Sequence, residues 1–224
     1  SSANCGHWDI ASWWFGSAKF LIHSRLNVAW RRGTLKSTLL CQRQEGKGIS
    51  IGNSAGSEMK VVGLFAGIGG LELGLAGAGH ETLLLCEVDP IAQAVLRKRF
   101  SGTPLHSDVR TLKALPKDTE VLTAGFPCQD LSQAGTTRGL KGRNSSLVGQ
   151  VFRLVESQPI PWLVLENVSF MLQLQAGAAI RHITNQLERL GYHWAYRVVD
   201  TRAFGLPQRR ERVFLMASLE HDPA

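Results

Sequence analysis

The chain has 224 residues, 44% of them hydrophobic, and a formal net charge of +7, enough apolar material for one sizeable α/β core with an appendage. No apolar run approaches the ~20 residues of a membrane span, and the N-terminus lacks the basic lead and clean apolar core of a signal peptide. Cys5, Cys41, Cys86 and Cys128 are too scattered for a disulfide framework or a structural zinc site, so a reducing cytoplasm and no metal are expected.

Residues 1–58 differ from the rest. They carry seven Lys/Arg against three acids and four of the six Trp, so the basic balance is only weak evidence for a nucleic-acid partner. They lack sustained period-2 or period-3.6 patterning and end in a linker-like run from Gly46 to Ser57. The expected organisation is a poorly patterned extension or linker over 1–58 and one catalytic domain over 59–224, opened abruptly by Met59-Lys60.

Lys60-Val61-Val62-Gly63-Leu64-Phe65 reads as a buried first strand. It runs into the turn Ala66-Gly67-Ile68-Gly69-Gly70 and a helix whose Leu71, Leu75 and Ala78 share a face. Glycines between a first strand and a first helix let a cofactor approach backbone N–H groups closely, although they also serve tight strand–helix packing. The P-loop pattern is absent, and so is the Gly-x-Gly-x-x-Gly spacing of nicotinamide enzymes.

Thr82 to Cys86 reads as a second strand, with Glu87 at its end and Asp89-Pro90 opening a helix through Phe100 in which Ile91 and Val95 line one face. An acid at the end of a second strand is where doubly wound folds grip ribose hydroxyls. Capping of the helix is the simpler role, and it suits Asp89 better than Glu87. Leu105 to Val109 looks like a third short strand and its exit. Asp108 there is either a ligand group or an ordinary turn aspartate.

Val121-Leu122-Thr123-Ala124 reads as a buried parallel strand, so Gly125-Phe126-Pro127-Cys128-Gln129 lies just past a carboxyl end, where open α/β sheets bind ligands. Gly125 permits a sharp exit and Pro127 stiffens the approach to the sulfur, which suits a nucleophile held at a fixed angle. The glycine-, serine- and cation-rich stretch from Ser132 to Asn144 follows, carrying Arg138, Lys141 and Arg143, which suit phosphates. Next come a helix bearing Leu147, Val151, Leu154 and Val155 and a fifth strand, Trp162-Leu163-Val164-Leu165. That strand delivers Glu166-Asn167-Val168 to the same edge, and a carboxylate there calls for a partner or a task. Ile180, Ile183, Leu187 and Leu190 mark an amphipathic helix closed by Gly191. Two final strands, about His193–Val199 and Arg212–Ala217, flank Gln208-Arg209-Arg210-Glu211-Arg212, whose arginines beside the active edge suit an anion.

Taken in order, Phe65-Ala66-Gly67-Ile68-Gly69-Gly70, Glu87-Val88-Asp89-Pro90, Asp108-Val109, Gly125-Phe126-Pro127-Cys128-Gln129 with Ser132, Glu166-Asn167-Val168 and Gln208-x-Arg210-x-Arg212 resemble the blocks of DNA (cytosine-5) methyltransferases. The resemblance covers Met59 to about Leu219. It implies a Rossmann-like S-adenosylmethionine-dependent fold, α/β with a mostly parallel doubly wound sheet ending in an antiparallel strand. It also implies a cytoplasmic, DNA-associated protein that methylates a cytosine flipped out of double-stranded DNA, in bacterial or phage settings such as restriction–modification.

On the same resemblance, Cys128 adds to cytosine C6, Glu166 serves the ring N3, and Arg210 and Arg212 steady the base, the acid and the loop. Phe65, Ala66, Gly67, Gly69, Glu87, Asp108, Val109 and Pro127 surround S-adenosyl-L-methionine and the base pocket, and Gln129, Ser132 and Arg143 contact the DNA. The chain departs from the pattern at Gln150, where an acid is expected, and at Ser169, where proline is common. The family's target-recognition region has no counterpart in it, so the expectation is a catalytic half, truncated or working with a second chain. Two other readings remain: a relative that methylates tRNA, disfavoured because Phe126 stands where those proteins carry a second proline, and a non-catalytic remnant that binds cofactor or partner.

Overall fold

The computed structural model describes residues 58–127, 147–220 and 223. Seven strands form one sheet: β1 (Lys60–Leu64), β2 (Glu81–Cys86), β3 (Leu105–His106), β4 (Val121–Ala124), β5 (Trp162–Val168), β6 (His193–Asp200) and β7 (Glu211–Ser218). Their spatial order is β3-β2-β1-β4-β5-β7-β6. The first five run parallel, and β7 is antiparallel to both β5 and β6. The last strand therefore lies inside the sheet, between β5 and β6. Chain order reverses direction at β1, between β2 on one side and β4 on the other, and that reversal opens a crevice at the carboxyl ends of the two central strands.

Among the described residues four α-helices connect the strands: α1 (Gly70–Gly77), α2 (Pro90–Arg99), α3 (Leu147–Ser157) and α4 (Ala178–Arg189). Alternation along the central strands divides the core into two layers, as a strand's period of two requires. Val62, Leu64, Leu122, Ala124, Leu163 and Leu165 belong to a large cluster with Val151 and Leu154 of α3 and Ile183 and Leu187 of α4. Val61, Val121, Val164 and Phe214 face the other way, against Leu75 and Leu71 of α1. Both faces of the sheet are covered, which is why the central strands read as unbroken apolar runs rather than alternating ones.

Two helix faces differ from the sequence expectation. Ile91 was expected to line a core face of α2, but it is 78% exposed, and Ala92, Gln93 and Leu96 are the buried residues. Asp89 sets this phase: its carboxylate accepts from the Ile91 N–H at 2.8 Å and fixes the first turn, with Ile91 on the outside at the carboxyl edge. In α1, Glu72 is the most buried side chain, at 1% exposure, while Leu71 and Ala78 are only partly covered. Glu166, expected just beyond β5, is inside it and paired with Phe214.

Candidate active site

The site is assembled at the carboxyl edge of β1, β2, β4 and β5. After β1, Phe65 takes a left-handed φ of 54° and Gly67 one of 56°. The turn closes on itself, since the Gly69 N–H donates to the Ala66 carbonyl at 2.8 Å and Ala66 N–H donates to the Cys86 carbonyl at 3.1 Å. A non-glycine residue held left-handed marks stored backbone strain at a ligand-facing turn. At Gly67 a Cβ would meet nothing within 4 Å, so its exposed face is open space, whereas at Gly69 it would strike Phe100 and Leu96. Gly67 therefore leaves room beside the turn, and Gly69 is required by packing.

Glu87 grips this turn from β2. Its Oε2 accepts from the Gly67 N–H at 2.7 Å, and its Oε1 accepts from the N–H groups of Val88 and Asp89 at 2.8 and 2.9 Å. A carboxylate has about four lone-pair positions, so three backbone donors leave it one free acceptor. Beside it stand the exposed apolar side chains Ile68, Val88 and Ile91. A free acceptor next to an uncovered apolar surface suits a ligand that combines a hydroxyl with a flat ring.

Asp108 follows β3 and is already engaged. Arg110 holds it with Nε and Nη2 at 2.7–3.0 Å, and the Arg110 N–H adds a bond at 2.9 Å. That guanidinium keeps the Asp108 carboxyl below the usual carboxylate range. The geometry is that of a turn aspartate, one of the two roles the sequence left open. The Val109 side chain is in the core, and its carbonyl accepts from Arg153 Nη2 at 3.1 Å.

After β4, Gly125 and Phe126 lead to Pro127, the last described residue of this segment. The nucleophile candidate Cys128, together with Gln129, Ser132 and Arg143, lies outside the described residues. What brings the loop against β5 is clear: a Cβ on Gly125 would stand 3.3 Å from Glu166 Oε2 and 3.8 Å from the Phe65 carbonyl. The glycine thus allows the first-strand turn, the fourth-strand exit and the Glu166 carboxyl to converge. Glu166 Oε1 is 2.9 Å from Arg212 Nε, with the two side chains 21% and 23% exposed. Because β7 pairs Arg212 with Val168, the ion pair is a diagonal cross-strand contact on one face.

Burial pushes the Glu166 carboxyl above its ordinary value, and Arg212 and then Arg210 oppose that rise. Arg210 is exposed, and its carbonyl accepts from the Thr201 N–H at 3.0 Å. Thr201 also donates its hydroxyl to the Gln208 carbonyl. The arginine segment is therefore closed by a buried threonine.

Three residues were not singled out from sequence. Asn167 donates from Nδ2 to the Phe126 carbonyl at 2.8 Å. Arg153 of α3 donates to the Val109 and Leu112 carbonyls and to Gln150 Oε1, so the position where an acid was expected supplies a neutral acceptor. Glu72 is buried against Gly63 of β1 and Thr123 of β4. Asn167 had a signal, its place beside an edge carboxylate; a helical arginine or glutamate ordinarily reads as solvated. Among the described residues no cluster of three or more His, Cys, Asp or Glu could hold a metal ion, and no helix is long and apolar enough to cross a membrane.

A doubly wound sheet carrying a glycine turn, an acid at the end of its second strand and a half-buried acid–arginine pair at one edge defines a Rossmann-like methyltransferase fold. Solved structures of Dnmt2 agree in fold: that of S. pombe superposes with a TM-score of 0.58 at 20% identity, covering 73% of this chain and 52% of its own. A mutant form of Spodoptera frugiperda DNMT2 gives 0.59 at 16% identity, covering 72% and 50%. Residues 59–223 match the model of the C-5 cytosine-specific DNA methylase family, and the chain belongs to that family. It is 53% identical over 169 residues to the type II methyltransferase M2.BsuMI of Bacillus subtilis (strain 168), covering 74% of this chain and 43% of that protein. It is 34% identical to M.BsuFI of Bacillus subtilis, over 72% of this chain and 39% of the relative. The chain thus spans less than half the length of these two relatives.

Proposed function

We propose that residues 59–224 form the catalytic unit of a DNA cytosine-5 methyltransferase, with residues 1–58 a separate extension. The observation that carries this reading is the convergence of Gly125, which leads to Cys128, on the half-buried Glu166–Arg212 pair. The open face of Gly67, the remaining acceptor on Glu87 and the apolar Ile68, Val88 and Ile91 fit S-adenosyl-L-methionine. Phe65, Ala66, Gly67, Gly69 and Glu87 would hold it, with Asp108, Val109 and Pro127 at the margins. When bound, it supplies the electrophilic methyl group that cytosine C5 takes.

The chain's own residues prepare the base. The Cys128 thiolate forms a bond to C6, and the ring electrons displaced toward N3 require a proton or a strong donor there. Glu166 is assigned that need, since burial raises its carboxyl above the ordinary value and so favours the protonated form. Arg212 fixes the carboxyl in place, and Arg210 adds positive charge beside it. Once C5 is methylated, its proton passes to a water molecule, the electron pair forms the C5–C6 double bond and expels Cys128 as thiolate, and N3 returns its proton to Glu166, which restores the aromatic ring. The base must leave the duplex for C6 to meet sulfur, at a cost of a few kcal/mol offset by pocket and phosphate contacts. Gln129, Ser132 and Arg143 are assigned those contacts.

The test is a trapping experiment with duplex DNA containing 5-fluorocytosine and S-adenosyl-L-methionine. Fluorine cannot leave as a proton does, so a working Cys128 stays linked to the base. A denaturation-resistant protein–DNA adduct that disappears in Cys128→Ser is expected. An equal adduct in Cys128→Ser, or labelled methyl transfer to tRNA and not to duplex DNA, would refute the reading.

A further inference from the structure

Among the buried titratable groups that this mechanism leaves unused is Glu72. Its Oε1 is 2.6 Å from the Thr123 hydroxyl, which lies 3.3 Å from the Val62 carbonyl. Its Oε2 is buried without a partner. A Cβ on Gly63 would come 2.3 Å from Oε1, so the carboxyl occupies the space that a side chain at Gly63 would need. Gly63 and Thr123 are paired neighbours on β1 and β4, the strands that lead into the glycine turn and toward Cys128. Glu72 itself is in the first turn of α1, which begins where that turn ends.

We propose that Glu72 is a positioning residue whose carboxylic acid joins the turn after β1 and the start of α1 to Thr123 of β4, and so sets how tightly the turn grips its ligand. The buried setting favours the neutral form. The Thr123 hydroxyl has a single proton; an acid proton on Glu72 donates to Thr123 Oγ1, and the hydroxyl proton goes on to the Val62 carbonyl. A carboxylate would accept a hydrogen bond from the hydroxyl and keep a full charge buried, which is far more costly. Gly63 and Thr123, the residues that face the carboxyl from the sheet, are uncharged, and α1 contains no other titratable group. Burial pushes the Glu72 carboxyl up, against smaller opposing effects of Thr123 and its own backbone. Thr123 lies on β4 two residues before Gly125, whose Cβ position is 3.3 Å from Glu166 Oε2.

The inference rests on the cofactor reading for the word grip, and the experiment separates the two. Thermal unfolding of the full chain and of Glu72→Gln is followed from pH 5 to pH 8, and the affinity for S-adenosyl-L-homocysteine is measured by calorimetry at neutral pH. A group whose folded value is raised contributes stability that is full below its unfolded value and lost as pH rises through the folded value. Between the unfolded value and the raised folded value of this group, the unaltered chain should lose about 3 °C of Tm per pH unit. Glu72→Gln, neutral throughout, should lack that component while retaining binding. Thr123→Val should weaken binding about fivefold or more, and Thr123→Ser, which keeps the hydroxyl, should restore it. Parallel Tm profiles for the unaltered chain and Glu72→Gln overturn the inference, as does normal binding by Thr123→Val. Absence of any binding by the unaltered chain overturns both the cofactor reading and the grip assigned to Glu72.

Discussion

Asn167 Nδ2 donates to the Phe126 carbonyl across 2.8 Å, and Asn167 Oδ1 in turn accepts from the Val168 N–H. The end of β5 thus holds the backbone two residues ahead of Cys128, and the same segment carries Glu166. Asn167→Ala leaves a buried carbonyl unpaired, and the cost is about 1–3 kcal/mol. Chemical denaturation should report that loss, and the 5-fluorocytosine trap should slow. Asn167→Asp, which keeps the shape but loses the donor, should slow it too; a trapping rate unchanged in both would show that the hydrogen bond does not position the loop.

The ion pair between Glu166 and Arg212 leads to a pH prediction with a definite sign. Burial raises the Glu166 value and Arg212 opposes that rise more than Arg210 does. A proton needed at N3 is available at low pH and lost as pH rises through the raised value. In Arg212→Met, burial acts with less opposition, so the alkaline limb of the pH–rate profile for adduct formation should move to higher pH even as the rate falls roughly 100-fold. An alkaline limb that stays where it was would mean that another group titrates.

Gly63 is expected to tolerate no side chain. Gly63→Ala drives a methyl group into the Glu72 carboxyl and should destabilise the chain by about 1–3 kcal/mol. The double variant Gly63→Ala/Glu72→Ala should recover much of that loss, because the added methyl then fills the space vacated by the carboxyl. Additive losses in the double-mutant cycle would show that the two positions do not compete for space.

Arg110 competes for the acceptor atoms that Asp108 would offer an adenine amino group. Since the pair is exposed on the arginine side, Arg110→Ala should leave Tm unchanged and raise the affinity for S-adenosyl-L-homocysteine roughly threefold. Weaker binding would instead mean that Arg110 holds the carboxylate ready for the ligand.

The sheet could be read from the chain because its central strands are buried on both faces. Val121–Ala124 was read with the observed bounds, and β1, β2, β6 and β7 to within a residue or two. The edge acids Glu87 and Glu166 were legible for a related reason, since ionisable groups at the ends of apolar strands stand out. Glu72 was hidden because a glutamate in the first turn of a helix ordinarily faces water and the macrodipole; only the missing side chain at Gly63 makes room for it inside. Ile91 misled in the opposite direction, because its apolar character suggested a core face that the Asp89 cap turns outward. The Asp108–Arg110 pair spans only two residues, a separation at which turn geometry rather than periodicity decides contact.

The pairing of Val168 with Arg212 also limits how this stretch can change in length. A strand shifted by one residue shows its opposite side, so inserting or deleting a single residue between Glu211 and Ser218 would bring Glu211 or Val213 opposite Val168 in place of Arg212 and carry the guanidinium off the face that Glu166 occupies. Substitutions there can be graded, but a frame-preserving indel should behave as all-or-none. Length polymorphism should therefore be tolerated in the turn at Ser101–Thr103 and excluded from the hairpin that ends the sheet.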